Sequence, residues 1–247
     1  MKIINAEWEL RNLGKRTVEL TLEKDDLSRS PGEIYDAIKE AETQFQSEYT
    51  VVKLKTGKPQ IGMELQRNGF WHIETQIHLK AALEDAISAI KKTATLFEKA
   101  SVQVISSAED VLCVQNEIRK GIFTTDRIAL DPHFGVEIAN RRYANWIADE
   151  VDRGSILTYI IINDQKVGFS LRRKTQGLLG GVFLQYQKDN YGTDCQIAGW
   201  RNLIRQGLET FYTTVSSNNL RMLRLHEAYG YRVKSLSDVF VRHKSLK

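Results

Sequence analysis

Strand-like and helix-like patterns of apolar residues alternate over the first part of the chain. Apolar and polar residues alternate over residues 17–23, which is typical of a half-buried strand. Ser30 and Pro31 then fit the N-cap and first position of a helix that continues to about residue 46. We expect further strands over residues 49–54 and 71–77, with a short helix around Ile61 and Leu65 between them. This alternation predicts an α/β (α+β) fold with a mixed central sheet flanked by helices.

The middle of the chain has the pattern of helices interrupted by a polar loop. Apolar residues at helical spacing predict helices over residues 81–99, 107–120 and 136–151. The segment 123–134 is polar and aromatic and contains Pro132, so we expect a long loop there. Loops on a rigid scaffold often carry functional residues.

A strand, a loop and a helix follow one another near the C-terminus. The apolar, glycine-bounded run 177–186 predicts a buried strand, and residues 187–192 form a polar loop. Thr193 and Gln196 have capping-box spacing, which predicts a helix that Gly207 ends. We then expect a strand over residues 208–216, and a helix over 220–229 that Gly230 ends.

The loop before residue 193 suits a pyrophosphate. A strand that leads through a tight loop into a helix leaves several N–H groups unpaired at the positive end of the helix dipole. Gly192 would let a phosphate approach the backbone, and Asn190 tolerates a positive φ. The spacing therefore predicts a site for a phosphate-bearing cofactor.

The first 80 or so residues resemble a shorter copy of the C-terminal part. A short helix ending in Gly69-Phe70 and leading into a strand matches the helix ending in Gly230-Tyr231. We predict two halves, residues 1–120 and 121–247. Since no glycine loop follows an early strand, we expect the first half to pack against the second and not to bind cofactor.

Composition narrows the functional classes. The chain has 247 residues, 42% hydrophobic and 27% charged, with a net charge of +4, which is ordinary for a globular protein. We expect a cytoplasmic protein that binds neither nucleic acid nor a membrane, because it has no concentrated basic patch, signal-peptide core or long apolar run. Cys113 and Cys195 are too few for a disulfide framework and lack metal-ligand spacing, so no metal is expected.

Three segments together resemble the GNAT superfamily of acyl-CoA-dependent N-acyltransferases. The family's phosphate loop reads Q/R-x-x-G-x-G/A, and Gln187, Asn190 and Gly192 occupy those places, with asparagine replacing the first glycine. Residues 159–170 resemble the family's central hairpin, whose second strand carries V-G-F. Residues 215–219 and 225–231 resemble its closing V-x-x-x-N and L-Y/H-E-x-x-G-F/Y segments.

The resemblance implies an acetyl-CoA-binding N-acetyltransferase whose acceptor is a small-molecule amine. Main-chain groups of the strand and loop would hold the cofactor, at Val182, Phe183, Leu184, Gln187, Lys188, Asp189, Asn190, Tyr191, Gly192, Thr193 and Asn219. His226 occupies the place of the tyrosine that usually acts as the family's general acid. His226 and Asn219 are therefore our predicted catalytic residues. Asn219 has the equally favoured alternative of capping the last helix.

A second resemblance concerns the acceptor. Residues 126–146 resemble the D-R-F/I…D-P…Y-x-x-W pattern of sugar-nucleotide amine acetyltransferases of the TDP-fucosamine type. It implies substrate binding by Arg127, Asp131, Tyr143 and Trp146. For a general base, Asp126, Asp131 and His133 remain alternatives.

Other functions stay open. The acceptor can be a different amine, such as an antibiotic intermediate, a polyamine or a protein N-terminus. Alternatively, the protein retains acyl-CoA binding without catalysis, or serves as an assembly partner through its first half. A homodimer is a further alternative.

Overall fold

One large sheet forms the centre of the molecule. The computed structural model describes residues 1–91, 100–189 and 191–244. Within those residues the chain has a single ten-stranded sheet. Its strands are β1 (Lys2–Asn5), β2 (Thr17–Thr21), β3 (Tyr49–Lys55), β4 (Trp71–Ala82), β5 (Ala100–Val104), β6 (Ile156–Ile162), β7 (Gln165–Arg173), β8 (Gln176–Val182), β9 (Thr210–Ser216) and β10 (Tyr231–His243).

Helices cover both faces of this sheet. They are α1 (Trp8–Leu13), α2 (Pro31–Gln44), α3 (Pro59–Arg67), α4 (Leu83–Lys91), α5 (Ala108–Arg119), α6 (Arg127–Leu130), α7 (Gly135–Asp152), α8 (Gly192–Arg205) and α9 (Leu220–Ala228). The described residues also include short 3₁₀ helices at Asp26–Ser28 and Leu184–Asp189. None of the helices in the described residues is long and apolar enough to cross a membrane.

Local sequence signals account for most helix ends. Ser30 caps α2 through a capping box with Glu33, and Ser107 caps α5. Gly207 and Gly230 both adopt a positive φ immediately beyond the ends of α8 and α9, which glycine does without strain. The predicted Ser30 cap and the predicted helix ends at Gly207 and Gly230 are confirmed, whereas Ser107, predicted as the first residue of its helix, is the N-cap before it.

The sheet contains an internal repeat. Its strand order is β1-β2-β3-β10-β4-β9-β8-β7-β6-β5. The pairs β2–β3 and β8–β9 are parallel, and every other neighbouring pair is antiparallel. In the first repeat, β2 to β4, the connecting helices α2 and α3 have 14 and 9 residues. In the second repeat, β8 to β10, the connecting helices α8 and α9 also have 14 and 9 residues. This matches the repeat expected from the sequence.

The last strands of the two repeats are exchanged. β4 ends the first repeat but pairs with β9 of the second, whereas β10 ends the second repeat and pairs with β3 of the first. β4 and β10 also pair with each other at the centre of the sheet. The sheet therefore runs without a break from one repeat to the other. The division at residue 120 stays a prediction.

Alternating side chains of the central strands build a core on each face. Val52 packs on one face with Ile34 of α2 and Ile61 of α3. Its neighbour Val51 packs on the other face with Ile128 and Ala139. Successive residues of a strand point to opposite faces, so one strand serves both cores.

Several predicted elements differ from the structure. The helix predicted over residues 81–99 was partly wrong, because β4 continues to Ala82 and α4 begins at Leu83; residues 92–99 lie outside the described residues. The predicted loop 123–134 contains the short helix α6. The strand predicted over 177–186 ends at Val182, where a 3₁₀ helix follows. β1, α1 and β5 were not predicted, since all three are short and have weak periodicity.

Candidate functional site

The two parallel strand pairs differ in how long they stay together. β2 and β3 pair at five consecutive positions, from Thr17↔Tyr49 to Thr21↔Lys53. β8 and β9 pair at Gln176↔Tyr212 and then separate. The gap between them opens into a cleft of about 430 Å³. The second repeat therefore has an opening in the sheet where the first repeat is closed.

Backbone amides of β8 face this gap. The Phe183 N–H donates to the Val167 carbonyl at 2.8 Å, so these two residues form a hydrogen-bonded pair of the antiparallel ladder with β7. Bonded and non-bonded pairs alternate along an antiparallel ladder, so Val182 and Gly180 direct their N–H and C=O groups away from β7. Both residues line the cleft. Two unpaired amide groups are thus available to a ligand between the strands.

The N-terminus of α8 also opens onto the cleft. Gly192 lines it, and a Cβ at this position would touch only Leu225, at 3.6 Å. Tyr191 is the N-cap, and its side chain makes no capping hydrogen bond to the first turn. Thr193 lies inside the first turn, so the predicted Thr193 cap is wrong. Free N–H groups at a helix N-terminus favour an anion.

The two predicted catalytic residues lie on α9 and both line the cleft. Nδ1 of His226 lies 2.8 Å from the Met222 carbonyl oxygen. Because a carbonyl oxygen only accepts, Nδ1 carries the proton. Burial lowers the pKa of His226, although the bond to Met222 partly opposes this effect. A neutral ring protonated on Nδ1 leaves Nε2 as a proton acceptor. Asn219 caps α9 by accepting a hydrogen bond from the Met222 N–H at 3.1 Å.

A second part of the cleft, which we name the β4 end, is rich in charged and aromatic side chains. It is lined by Glu74, Gln76, Asp126, Arg127, Arg142, Tyr143 and Trp146. The structure therefore brings three of the four predicted substrate-binding residues together. The fourth, Asp131, lies away from the cleft, where its carboxylate accepts from His243 Nε2 at 2.7 Å and faces His133 Nδ1 at 3.2 Å.

The arginines of the β4 end are already neutralised. Arg127 pairs with Glu19, and Arg142 pairs with Glu9 at 2.6 Å. Burial alone would raise the pKa of Glu19, but Arg127 and Lys53 outweigh burial and hold that pKa well below its usual value. The same interaction with Glu19 keeps the pKa of Arg127 high in spite of burial. These buried pairs leave little positive charge for a ligand.

Two carboxylates at the β4 end, by contrast, have neutral partners. Glu74 is 4% exposed and accepts a hydrogen bond from Gln76 at 3.2 Å. Asp126 caps α6 by accepting from the Ala129 N–H, and it also interacts with the Tyr143 hydroxyl. Burial and Asp126 together raise the pKa of Tyr143 well above its usual value, so this hydroxyl stays protonated. Among the described residues, neither carboxylate has an ion-pair partner within 4.0 Å, although Glu74 is near enough to Arg127 to help raise the pKa of that arginine.

Comparison with known proteins identifies the architecture. No protein-family model matches the chain, and no curated protein matches its sequence. A GCN5-related N-acetyltransferase from Sphaerobacter thermophilus matches all of this chain and 77% of its own, with a TM-score of 0.61 at 10% identity. One from Kribbella flavida matches 93% of this chain and 82% of its own, with a TM-score of 0.54 at 12% identity. A tandem GNAT protein from the clavulanic acid biosynthesis pathway matches 87% of this chain and 70% of its own, with a TM-score of 0.52 at 12% identity.

The chain has a GNAT fold. At these identities the likeness establishes the architecture and leaves the substrates undecided. The likeness to the TDP-fucosamine type of acetyltransferase stays a prediction. A GNAT fold with a tandem relative agrees with the repeat seen in the sheet.

Those predicted cofactor residues that the structure describes divide into three groups. Val182, Gly192 and Asn219 line the cleft. The amide of Phe183 is bonded to β7, which corrects the expectation that it faces a ligand. Leu184, Gln187, Lys188 and Asp189 are exposed on the 3₁₀ helix, with Tyr191 and Thr193 beside the start of α8, and none of these six lines the cleft. Asn190 lies outside the described residues.

Glu74 is the main residue that sequence reasoning missed. It lies on β4 of the first repeat, which we expected only to pack against the second. The strand exchange places β4 beside β9, so Glu74 and Gln76 reach a cleft formed in the second repeat. Polar and apolar residues alternate along β4, and Glu74 occupies one of the polar positions, so the pattern alone gave no sign of its burial in the cleft.

Proposed function

We propose that the protein is an acyl-CoA-dependent N-acyltransferase, with acetyl-CoA as the simplest donor and the primary amine of a small molecule as the acceptor. The observation that best supports this function is the separation of β8 from β9 beside the open N-terminus of α8. This strand separation occurs in a chain with a GNAT fold, in the second repeat, where the sequence motifs also lie.

The cleft residues fit coenzyme A. The first-turn N–H groups of α8 would hold the pyrophosphate, with Gly192 keeping the approach free of a side chain. The amides of Val182 and Gly180 would bind the pantetheine arm, and one of them would donate to the thioester oxygen as charge develops there. The acylated cofactor supplies an activated carbonyl and a thiol leaving group.

The β4 end would bind the amine. Glu74 and Asp126 would attract it as an ammonium ion, and Tyr143 and Trp146 would contact its carbon skeleton. An ammonium ion must lose a proton before it attacks a carbonyl. Glu74, Asp126 and Nε2 of His226 are proton acceptors that line the same cleft. His226 therefore acts as a base in this proposal, in contrast to the acid role that the resemblance implied.

Charge favours a small cationic acceptor. Two carboxylates with neutral partners would repel the phosphates of a nucleotide, and the nearby arginines are held by Glu9 and Glu19. A nucleotide-linked amino sugar is accordingly our second choice. A screen of polyamines, amino sugars and nucleotide-linked amino sugars, read by release of free thiol, separates these classes.

The cofactor site is tested by calorimetry with acetyl-CoA. Gly192→Val should abolish binding, because the branched side chain blocks the first turn of α8. Gly32→Val is the matched control, since Gly32 lies in the first turn of α2, the equivalent helix of the first repeat, with open space around it. Unchanged acetyl-CoA affinity of the Gly192→Val variant would show that the phosphate does not bind at this position. Binding without transfer to any amine would support a non-catalytic acyl-CoA-binding protein.

The acceptor site is tested with Glu74→Gln. Loss of a charged hydrogen bond to the ammonium should raise the KM for the amine about tenfold or more, with acetyl-CoA affinity unchanged. Glu84→Gln, at an exposed position, controls for the change in net charge. An unaltered KM would show that Glu74 does not contact the acceptor.

A further inference from the structure

Arg172 is a buried cation that lines the cleft without an acidic partner. The side chain is on β7, and the residue is 7% exposed. Nη1 donates to the Lys174 carbonyl at 2.8 Å, and Nη2 donates to the side-chain carbonyl of Gln206. Nε has no hydrogen-bond partner among the described residues. Burial lowers the pKa of Arg172, and no neighbouring charge opposes that effect.

Three other arginines that are buried or half-buried each have a carboxylate partner. Arg127 pairs with Glu19, Arg142 pairs with Glu9, and Arg242 pairs with Glu42 at 2.5 Å. A buried charge without a counter-ion is costly, so such groups are normally paired or bind a ligand. Arg172 donates to two neutral acceptors, and its buried Nε has no partner among the described residues. An anionic ligand group would supply the missing counter-ion.

The position of Arg172 shows which part of a ligand it can reach. It pairs with Gly177 in the β7–β8 register, one residue from the Gln176↔Tyr212 pair where β8 and β9 still meet. Gln206 follows the last residue of α8, so it lies about 20 Å along the helix axis from Gly192. A pyrophosphate at the N-terminus of α8 is too far away to contact Arg172. The anion must belong to the other end of the bound molecule.

Small residues leave room for a ligand group beside Arg172. Gly177 and Gly180 of β8 and Gly199 of α8 all line the cleft. A Cβ at Gly199 would meet nothing within 4 Å. The closed end of the gap can thus accept a short chain that ends in a negative charge.

We infer that Arg172 binds the terminal carboxylate of the acyl group, so that the preferred donor is the coenzyme A thioester of a short dicarboxylic acid. This inference rests on the proposed acyl-CoA function and specifies its donor. In the reaction, the amine nitrogen forms a bond to the thioester carbon, the carbon–sulfur bond breaks, and the thiol leaves with a proton. The product is an amide with a free carboxylate, and no oxidant or metal is required.

Calorimetry with two donors of similar length tests the inference. Succinyl-CoA carries the terminal carboxylate, and butyryl-CoA ends in a methyl group. We expect wild-type protein to bind succinyl-CoA about tenfold to hundredfold more tightly, as a charged hydrogen-bonded contact allows. Arg172→Met should remove this difference, and Arg172→Lys should keep part of it. Arg67→Met makes the same change at an exposed arginine of α3, so this control variant should bind both donors as the wild type does.

The possible outcomes test the assignment of the acyl donor separately from the proposed acyltransferase function. Equal affinity of the wild type for both donors overturns the donor assignment and leaves the acyltransferase intact. A preference that persists in Arg172→Met also overturns it. Binding of neither donor overturns the acyltransferase as well. If free succinate binds beside acetyl-CoA in an Arg172-dependent manner, the carboxylate belongs to the acceptor, and the donor assignment is wrong. The wild-type comparison is sufficient if Arg172→Met does not fold.

Discussion

The replacement of Gly168 by alanine tests how closely β7 must approach β8. Gly168 is the glycine of the V-G-F motif and pairs with Val182, whose amide faces the cleft. A Cβ at residue 168 would lie less than 3.0 Å from the Gly181 carbonyl oxygen and 3.2 Å from the Val182 Cα. Both are backbone atoms, which no rotamer change can move. β8 must therefore shift by several tenths of an ångström.

The size of the effect follows from two opposing contributions. Overpacking of this kind costs about 1–3 kcal/mol. Replacing glycine also lowers the conformational entropy of the unfolded chain, which stabilises the folded protein by about 0.4–1 kcal/mol. We therefore expect a net destabilisation of about 1–2 kcal/mol, or a fall in Tm of about 2–8 °C for a chain of this length. Acetyl-CoA binding should weaken as well, since the Val182 amide is displaced.

Thermal unfolding and calorimetry on the same preparations measure both effects. Gly32→Ala is the control because it has the same entropic gain, open space around the new Cβ and a helical position. It should raise the Tm slightly and leave cofactor binding unchanged. A Gly168→Ala protein as stable as Gly32→Ala would refute the close approach of the two strands.

Two further replacements test the buried charges. Glu19→Gln leaves Arg127 buried without its main partner and should cost about 3–5 kcal/mol in urea unfolding, whereas Glu23→Gln, at an exposed position, should cost little. The folded-state pKa of Glu19 lies below its ordinary value of 4.5. The wild-type free energy of unfolding should therefore begin to fall as the pH drops below about 4.5. Glu19→Gln should make the free energy of unfolding less dependent on pH in this range. His226→Ala should lower kcat about a hundredfold without changing acetyl-CoA affinity. In the wild type, kcat should stay constant down to about pH 6.5 and decline only below it, because burial lowers the His226 pKa from 6.5; an acid role would instead give a rate that declines as the pH rises.

The helix ends and strand β8 of the second repeat could be predicted because each depends on residues that are close together in the sequence. Gly207 and Gly230 end their helices through backbone conformation, and the apolar run before residue 183 forms β8. Thr193 has suitable capping spacing, but α8 begins one residue earlier, at Gly192, so the threonine falls inside the first turn. A one-residue shift of a helix start is beyond what spacing alone resolves.

Long-range arrangements could not be predicted in this way. The separation of β8 from β9 depends on what each strand pairs with on its other side, which no local pattern records. Glu74 reaches the cleft only through the strand exchange, and Arg172 differs from Arg173 in burial, although both are arginines in one strand. The same limit explains why Asp131 was assigned to substrate binding. Its neighbour in space is His243, more than a hundred residues away in sequence.

The strand exchange also predicts how the protein tolerates division. If β4 is removed with the first repeat, β9 and β10 each lose a full-length antiparallel partner and expose unpaired N–H and C=O groups. Residues 100–247 produced alone should therefore aggregate or fail to bind acetyl-CoA, even though they contain α8 and both strands that border the gap, β8 and β9. Co-expression with residues 1–99 should restore a soluble pair that copurifies and binds the cofactor, because β10 can insert again between β3 and β4. A monomeric 100–247 fragment that binds acetyl-CoA as the whole chain does would show that the second half is an independent domain, and that the exchange contributes only Glu74 and its neighbours to the cleft.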